Sequence, residues 1–286
     1  MRRTLIRLFQ VSITTAVAMS LSGCNYWLFD PKGPIADEQM FLIILCAAVM
    51  LIVVVPVTIM GVWFPLRYGK GKRTEEYQPD WEHSNKIEAV VWGIPILIII
   101  ALATITWITS HSLDPRQPIE SDKPTMVVQV VAMDWKWLFI YPEQGIASIN
   151  EMAMPVNTPV EFLVTSDTVM NSFFIPQLGT QIYAMSGMEN RVHLMADEAG
   201  TYRGFSANYS GFGFAGMKFD AIATDQTGFE AWVAKVKAAP QILDESELAH
   251  LREKSRDVAP IHYASVNPLL FSEIIERYAG ALGNAR

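Results

Sequence analysis

Two stretches of the chain carry no Asp, Glu, Lys or Arg: residues 40 to 66, MFLIILCAAVMLIVVVPVTIMGVWFPL, and residues 89 to 113, AVVWGIPILIIIALATITWITSHSL. At about 1.5 Å of rise per residue the first reaches roughly 40 Å as a helix, more than the ~30 Å hydrocarbon core of a bilayer. Both therefore predict transmembrane helices, over about 40–66 and 89–111. Pro56 and Pro95 fall inside them, and neighbouring helices can satisfy the carbonyls they free. From 126 to 224 the long blocks give way to short β-branched and aromatic runs such as MVVQVVAMDWKWLFIYP, PVEFLVTS and MKFDAIAT, punctuated by Pro, Gly, Asn and Asp. That pattern predicts a β-sandwich or barrel over residues 125–225, long enough to bury one core. From 226 the helical period returns. Phe229, Trp232, Val233 and Val236 share a face, Thr227 with Glu230 predicts a capping box, and Pro240 predicts the stop. The tail from 241 reads as two short helices. DESELAHLREKS is charged and expected in solvent. NPLLFSEIIERYAG has Asn267 as its cap, Pro268 in the first turn and Gly280 past its end, with Leu270, Ile274, Ile275 and Tyr278 forming a face for a partner.

Charge orients these blocks. Arg2, Arg3 and Arg7 precede an apolar run that closes on the small residues Ser22 and Gly23, the architecture of a secretory signal over residues 1–23. Its last four residues, Leu21-Ser22-Gly23-Cys24, resemble a bacterial lipobox, in which the Cys thiol is acylated and becomes the new amino terminus. Cys24 is thus the expected lipidation site, and residues 24–114 hold the lipid anchor and the helical hairpin. Arg67, Lys70, Lys72, Arg73 and Lys86 lie between the two spans and place that loop in the cytoplasm. Everything after 114 is then periplasmic, and Glu88 marks the cytoplasmic edge of the second span. The expected location is the bacterial inner membrane, as a multi-pass protein with two crossings.

Composition agrees with this picture and narrows the chemistry. Apolar residues make up 51% of 286, and the mean hydropathy is +0.22, high for a soluble protein. A net charge of −7 argues against a nucleic-acid surface. Cys24 and Cys46 are too far apart to make a zinc or disulfide framework, and Cys46 lies within the first span. His83, His111, His193, His250 and His262 show no ligand-pair spacing.

One segment does have the spacing of a metal loop. In YRGFSANYSGFGFAGMKF, residues 202 to 219, Ser206 and Ser210 are four apart, Phe214 follows four later and Met217 three later. Two amino-terminal spans followed by a β domain with this loop resemble subunit II of the haem–copper respiratory oxidases. That family's second subunit carries a binuclear copper centre on a cupredoxin sandwich. Its pattern is an early His, then C-x-E-x-C-x-x-x-H-x-x-M. Set on that pattern, the early His position falls on Asn171, the first Cys on Ser206, the Glu on Asn208, the second Cys on Ser210 and the second His on Phe214. Only Met217 matches. A serine hydroxyl is a hard, neutral ligand and Phe214 has no lone pair, so the resemblance implies a cupredoxin fold that binds no copper. Within the family it resembles the ubiquinol-oxidising branch of the cytochrome bo type, through the lipobox, the hairpin, VAMDWKWLFIYPEQGIA, NSFFIPQLG, QIYAMSGM and SANYSGFGFAGMKF.

The resemblance implies an α+β membrane protein: a two-helix transmembrane hairpin, a periplasmic cupredoxin-like β-sandwich or barrel, and a helical C-terminal extension over 226–286. It implies a non-catalytic subunit of a proton-pumping ubiquinol oxidase. No catalytic or cofactor-binding residue is expected in this chain. Haems and copper are expected in partner subunit I, with further small membrane subunits, membrane lipid, and ubiquinol met through the complex. Trp135, in DWKW, falls where copper-bearing relatives place an aromatic at the face that meets a soluble donor. Without copper behind it, an edge or subunit-contact role is expected, and Phe212 and Phe214 are expected to be packing residues. Three other readings are weighed against this one. A copper-bearing cytochrome c oxidase subunit is opposed by Asn171, Ser206, Ser210 and Phe214. A membrane-tethered copper-binding or chaperone lipoprotein would have Met185, Met188 and Met217 as its ligands. A structural envelope lipoprotein would co-purify with no haem-bearing partner.

Overall fold

The computed structural model describes residues 27–69 and 82–283. The signal segment, Cys24 and the cations at 70, 72 and 73 lie outside the described residues. Helix α1 (Pro34–Tyr68) and helix α2 (Asn85–Ser112) contain the two apolar blocks, and both are long and apolar enough to cross a membrane. They are the two such helices among the described residues. Leu42, Leu45, Val49 and Val53 on α1, and Ile98, Leu102, Ile105 and Thr109 on α2, recur at steps of three or four and are half-buried, while the intervening positions are mostly exposed. Those two stripes are the seam of the hairpin. Pro56 and Pro65 sit inside α1 and Pro95 inside α2.

The β domain has two mixed sheets, with strands numbered in chain order. One runs β11 (Gln241–Leu243), β12 (Ile261–Val266), β3 (Ile146–Ile149), β2 (Lys136–Tyr141), β1 (Met126–Met133), β5 (Val160–Ser166) and β8 (Asn190–Leu194). The other runs β4 (Glu151–Pro155), β10 (Lys218–Thr224), β9 (Gly200–Ser206), β6 (Asn171–Phe174) and β7 (Ile182–Ala184). β10 and β9 alternate buried with exposed or half-buried residues, as strands with one wet face do. β2 is buried at all six positions. Its side chains alternate between two cores. Trp137, Phe139 and Tyr141 point between the sheets, where Phe173 and Phe219 stack at 5.2 Å and Trp137 meets Phe173 edge-on at 5.5 Å. Leu138 and Ile140 point the other way, into a second core with Val131, Met133, Leu248, Leu251, Tyr263, Phe271 and Ile274. Gly204, opposite Phe219 on the neighbouring strand, leaves room for that ring: a Cβ there would come within 2.0 Å of it.

The second core corrects the reading of the tail. Residues 241–283 form β11, β12 and two helices, α4 (Glu245–Leu251) and α5 (Leu270–Gly283), after α3 (Gln226–Lys237). The two strands extend the seven-stranded sheet, and α4 and α5 cover its outer face. Leu248 and Leu251 are buried, so the segment around α4 is not fully solvated. Leu270 and Ile274 are buried against the chain's own sheet rather than left for a partner. Capping also differs from expectation. Asp225, two residues before Thr227, accepts the Gly228 N–H at 2.8 Å and starts α3. Asp244 accepts the Glu247 N–H at 2.9 Å and starts α4. Asn267 accepts the Leu269 N–H at 3.0 Å ahead of α5, and Gly280 lies inside that helix. The apolar face of α3 is as expected: Phe229, Trp232 and Val236 are buried and Val233 packs beside them.

The sandwich joins the hairpin through backbone contacts. The Lys32 N–H donates to the Gln177 carbonyl at 2.7 Å, the Asp197 N–H to the Lys32 carbonyl at 2.9 Å, and the His193 N–H to the Pro115 carbonyl at 3.0 Å. Gly33 lies so close to the Met195 carbonyl that a Cβ would sit 2.2 Å from it.

Two predictions follow from these cores. Phe271→Ala opens the second core and is expected to cost about 3–5 kcal/mol of domain stability, read by denaturant unfolding of the full chain through tryptophan fluorescence. A change near zero would mean α5 packs elsewhere. The second concerns Glu151, which links β4 to α3 and β12. Burial pushes its carboxyl up, but the Trp232 indole N–H at 3.0 Å, the His262 ring at 2.8 Å and the charges of His262 and Lys235 outweigh that. The carboxyl therefore sits below the usual range, and its contribution to stability is present above the unfolded value of about 4.3. It is lost as pH falls through the folded value. Unfolding midpoints are expected to drop on acidification, and Glu151→Gln to flatten that part of the curve.

Candidate functional site

The loop after β9 and the turn between β1 and β2 meet at one end of the sandwich. The turn residues are Asp134 and Trp135, and Trp135 adopts a positive φ of 62°. A non-glycine residue in that region is unusual and persists only where its surroundings hold it. Four bonds do so here. Asp134 Oδ1 accepts from the Thr168 hydroxyl at 2.5 Å. The Trp135 indole N–H donates to the Ser210 carbonyl at 3.2 Å. The Lys136 ammonium donates to the Leu251 carbonyl at 2.6 Å and the Glu253 carbonyl at 2.9 Å, just past the end of α4. DWKW is thus a junction between the 167–170 loop, the 207–215 loop and the C-terminal extension. Lys136 is fully buried, and its removal from water holds the amine below the ordinary lysine value, against the charges of Asp134 and Glu253.

The positions singled out in the loop separate into three environments. Asn171 and Ser206 are buried, and the Ser206 hydroxyl donates to Asn171 Oδ1 at 3.1 Å or to the Asn208 carbonyl at 3.2 Å. Asn171 Nδ2 donates to the Val169 carbonyl at 2.9 Å, and Asn208 Nδ2 to the Met170 carbonyl at 3.1 Å. The Ser206 and Asn171 side chains are thus linked, and Asn208 joins them through its backbone carbonyl. Met217 is buried beside them in sequence register: its carbonyl accepts the Ser206 N–H at 3.1 Å. Ser210 faces Trp135 through its carbonyl, and its hydroxyl is buried without a hydrogen-bond partner. Phe214 is half-buried, edge-on to Tyr209 at 5.6 Å. Among the described residues no group of three or more His, Cys, Asp or Glu is placed to hold a metal ion.

The aromatics divide differently from the sequence reading. Phe212 is 81% exposed and Tyr209 76% exposed, so Phe212 is not a packing residue. Arg256 lies over the Phe212 ring at 5.3 Å and Lys254 over Trp135 at 5.9 Å. Trp135 itself lies on the loop backbone. A Cβ on Gly213 would come within 2.3 Å of its ring, and Gly211, at φ 113°, adopts a turn open mainly to glycine. Glu88 is exposed in the first turn of α2, where a carboxylate suits the helix dipole. Sequence reasoning missed Lys136 and also Asn150, which accepts the Trp137 N–H at 2.8 Å and donates to the Val258 carbonyl at 2.8 Å. Asn150 sits at φ 55°, and an Asn between two apolar strands was the available signal.

Trp135→Ala removes the contact that seats the loop. Amide exchange at 211–214 is expected to quicken about tenfold, the equivalent of ~1.4 kcal/mol, with exchange in β2 and β10 unchanged. Unchanged exchange in the loop would show that other contacts hold it.

Comparisons with known proteins match this architecture. The family model for the cytochrome C oxidase subunit II periplasmic domain matches residues 143–223, and that of the COX aromatic rich motif matches residues 237–281, the extension that covers the outer face. The cytochrome bo(3) ubiquinol oxidase subunit 2 of Pseudomonas aeruginosa is 52% identical over 266 residues, covering 93% of this chain and 80% of that protein. The ubiquinol oxidase subunit 2 of Acetobacter aceti is 50% identical over 91% of this chain and 85% of its own length. The quinol oxidase subunit 2 of Bacillus subtilis is 41% identical over 85% of this chain and 77% of its own length.

Proposed function

This chain belongs to the family of quinol oxidase second subunits, and we propose that it is the non-catalytic subunit II of a proton-pumping respiratory ubiquinol oxidase. The complex oxidises ubiquinol in the bilayer and reduces oxygen to water. The observation that carries the role of this chain is that Ser206 donates to Asn171 Oδ1 or to the Asn208 backbone carbonyl, while the Asn171 and Asn208 amides donate to the Val169 and Met170 carbonyls. In the family pattern the positions of Asn171, Ser206 and Asn208, with those of Ser210, Phe214 and Met217, are the ligands of a binuclear copper centre.

The residues present do not fit that centre. Copper in its redox cycle is held by soft thiolates and imidazoles, and the four positions that would supply them, Asn171, Ser206, Ser210 and Phe214, offer amide, hydroxyl or phenyl groups instead. The amide and hydroxyl groups of Asn171 and Ser206 are also already engaged. No electron step therefore runs through this domain. A soluble donor needs an entry port in the aqueous domain, whereas ubiquinol is dissolved in the bilayer and delivers electrons directly to a membrane subunit. Haems and the copper of oxygen reduction belong to subunit I on this reading. The hairpin packs on that subunit and the sandwich covers its periplasmic face. Cys24 carries the lipid that, with α1 and α2, fixes the cap to the inner membrane.

Membranes lacking this chain are expected to lose quinol-dependent oxygen uptake and haem-bearing complex, and to regain both on complementation. Met217→Leu, a volume-conserving change, is expected to leave turnover unaltered, because the sulfur carries no electrons. A collapse of turnover in that variant, or stoichiometric copper in the purified chain, would overturn the reading.

A further inference from the structure

Between the two helices of the extension, α4 and α5, lies a groove of about 290 Å³. We propose that this groove binds a small zwitterion, a free α-amino acid or a short peptide, with its ammonium at a carboxylate end and its carboxylate at a guanidinium end. The site lies in the extension and does not depend on the oxidase reading. Topology sorts the charges. β11 and β12 are adjacent parallel strands, with Leu243 opposite Val266, and each leads straight into a helix. Asp244 and Asn267, which cap those helices, therefore stand side by side, and α4 and α5 start together. They also converge further on: Arg252, just past α4, and Arg277, on α5, both reach Asp167. Two helices that run the same way bring like positions level. Glu245 and Glu273 thus lie toward one end of the groove and Arg252 and Arg277 toward the other, over a floor that includes the buried Leu248 and Leu270.

The charges at the two ends do not neutralise each other. Glu273 and Arg277 are four apart on one helix, in the order and spacing that favours a pair. Yet among the described residues the ion-pair partner of Arg277 is Asp167, at 4.0 Å and beyond hydrogen-bond reach. Glu273 accepts instead from the Asn267 amide at 3.2 Å. Arg252 Nε donates to Asp167 Oδ2 at 2.7 Å, which fixes that guanidinium at the end of the groove. Asp244 accepts the Ser246 hydroxyl at 2.7 Å and the Glu247 N–H at 2.9 Å, so its carboxylate belongs to the cap of α4. Glu245 and Glu273 then stand against Arg252 and Arg277. A ligand of one sign is attracted at one end and repelled at the other, whereas a zwitterion is attracted at both. Charge-assisted hydrogen bonds to the guanidiniums set its orientation. The span is about one helical turn from Glu273 to Arg277 and about two from Glu245 to Arg252, roughly 6 to 10 Å. That suits ionic groups separated by one α-carbon or one peptide unit, and the leucine floor suits an aliphatic side chain.

The test titrates the full chain in mild detergent with L-leucine and with leucyl-leucine, followed by calorimetry. A single saturable site is expected, and the tighter of the two ligands reports which span is used. The N-acetylated form of that ligand, which lacks the ammonium, and its amide, which lacks the carboxylate, are each expected to bind about tenfold more weakly. Glu273→Gln and Arg277→Gln are each expected to weaken the parent ligand about tenfold. Arg203→Gln, at the separate ion pair with Asp220, is expected to leave it unchanged. The unfolding midpoint of each variant is read alongside, so that binding is scored on folded protein. No saturable binding of either ligand, an acetylated or amidated form that binds as tightly as its parent, or indifference to Glu273→Gln and Arg277→Gln would each overturn the proposal.

Discussion

Strand β2 has no face toward water, and much of the domain follows from that. An antiparallel sheet can leave one side solvated, and alternating polarity then suffices. Lys136–Tyr141 instead presents Trp137, Phe139 and Tyr141 to one core and Leu138 and Ile140 to another. Leaving the second set exposed would forfeit about 1.5–3 kcal/mol for each large side chain. A two-layer sandwich is therefore incomplete in this sequence, and residues 241–283 supply the third layer. The buried Lys136 then ties that layer down through two carbonyls past the end of α4. An ammonium at such a depth costs free energy and is tolerated because those carbonyls solvate it.

The same turn positions the loop that carries the family's metal pattern. Structural metals can contribute on the order of 10 kcal/mol to the segments they organise, whereas a neutral hydrogen bond contributes about 1 kcal/mol net. On the reading proposed above, a loop deprived of its ions has to be held by many small terms. The structure contains such terms: the Asn171–Ser206–Asn208 network, the Trp135 indole bonded to Ser210 and packed on Gly213, and the cations of the 252–258 segment lying over Trp135 and Phe212. The cations come from the extension, so the third layer braces the loop as well as β2.

Much of this was legible in the sequence because it is local. Uninterrupted apolar blocks report spans through length alone, and the helical face of Phe229, Trp232 and Val236 reports itself through spacing. The loop positions were legible as a spacing; the structure places Asn171, Ser206 and Asn208 within hydrogen-bond reach and Ser210 and Phe214 in other surroundings. What was missed is non-local. Leu270 and Ile274 make an apolar stripe whether they meet a partner or their own sheet, and only the depth of β2 decides between them. Thr227 with Glu230 fits a capping box, but Asp225 lies two residues earlier and its carboxylate takes the role. Phe212, read as packing by residue type alone, stands in solvent because the glycines beside it give that space to Trp135.

The mounting of the sandwich on the hairpin completes the argument for a cap. Salt bridges at a surface contribute little and are screened, so Lys32 with Asp30 and Glu198 would be a loose attachment by itself. The backbone hydrogen bonds from Lys32, Asp197 and His193 do not depend on side-chain rotamers. Gly33 against the Met195 carbonyl and Gly179 against Ile35 admit no side chain between the layers. Both linkers, before α1 and after α2, are thereby gripped by the same end of the sandwich. A domain that took electrons from a mobile donor would have to present one face outward. A domain gripped this way, with the 207–215 loop braced by its own extension, fits the fixed cap of the reading proposed above.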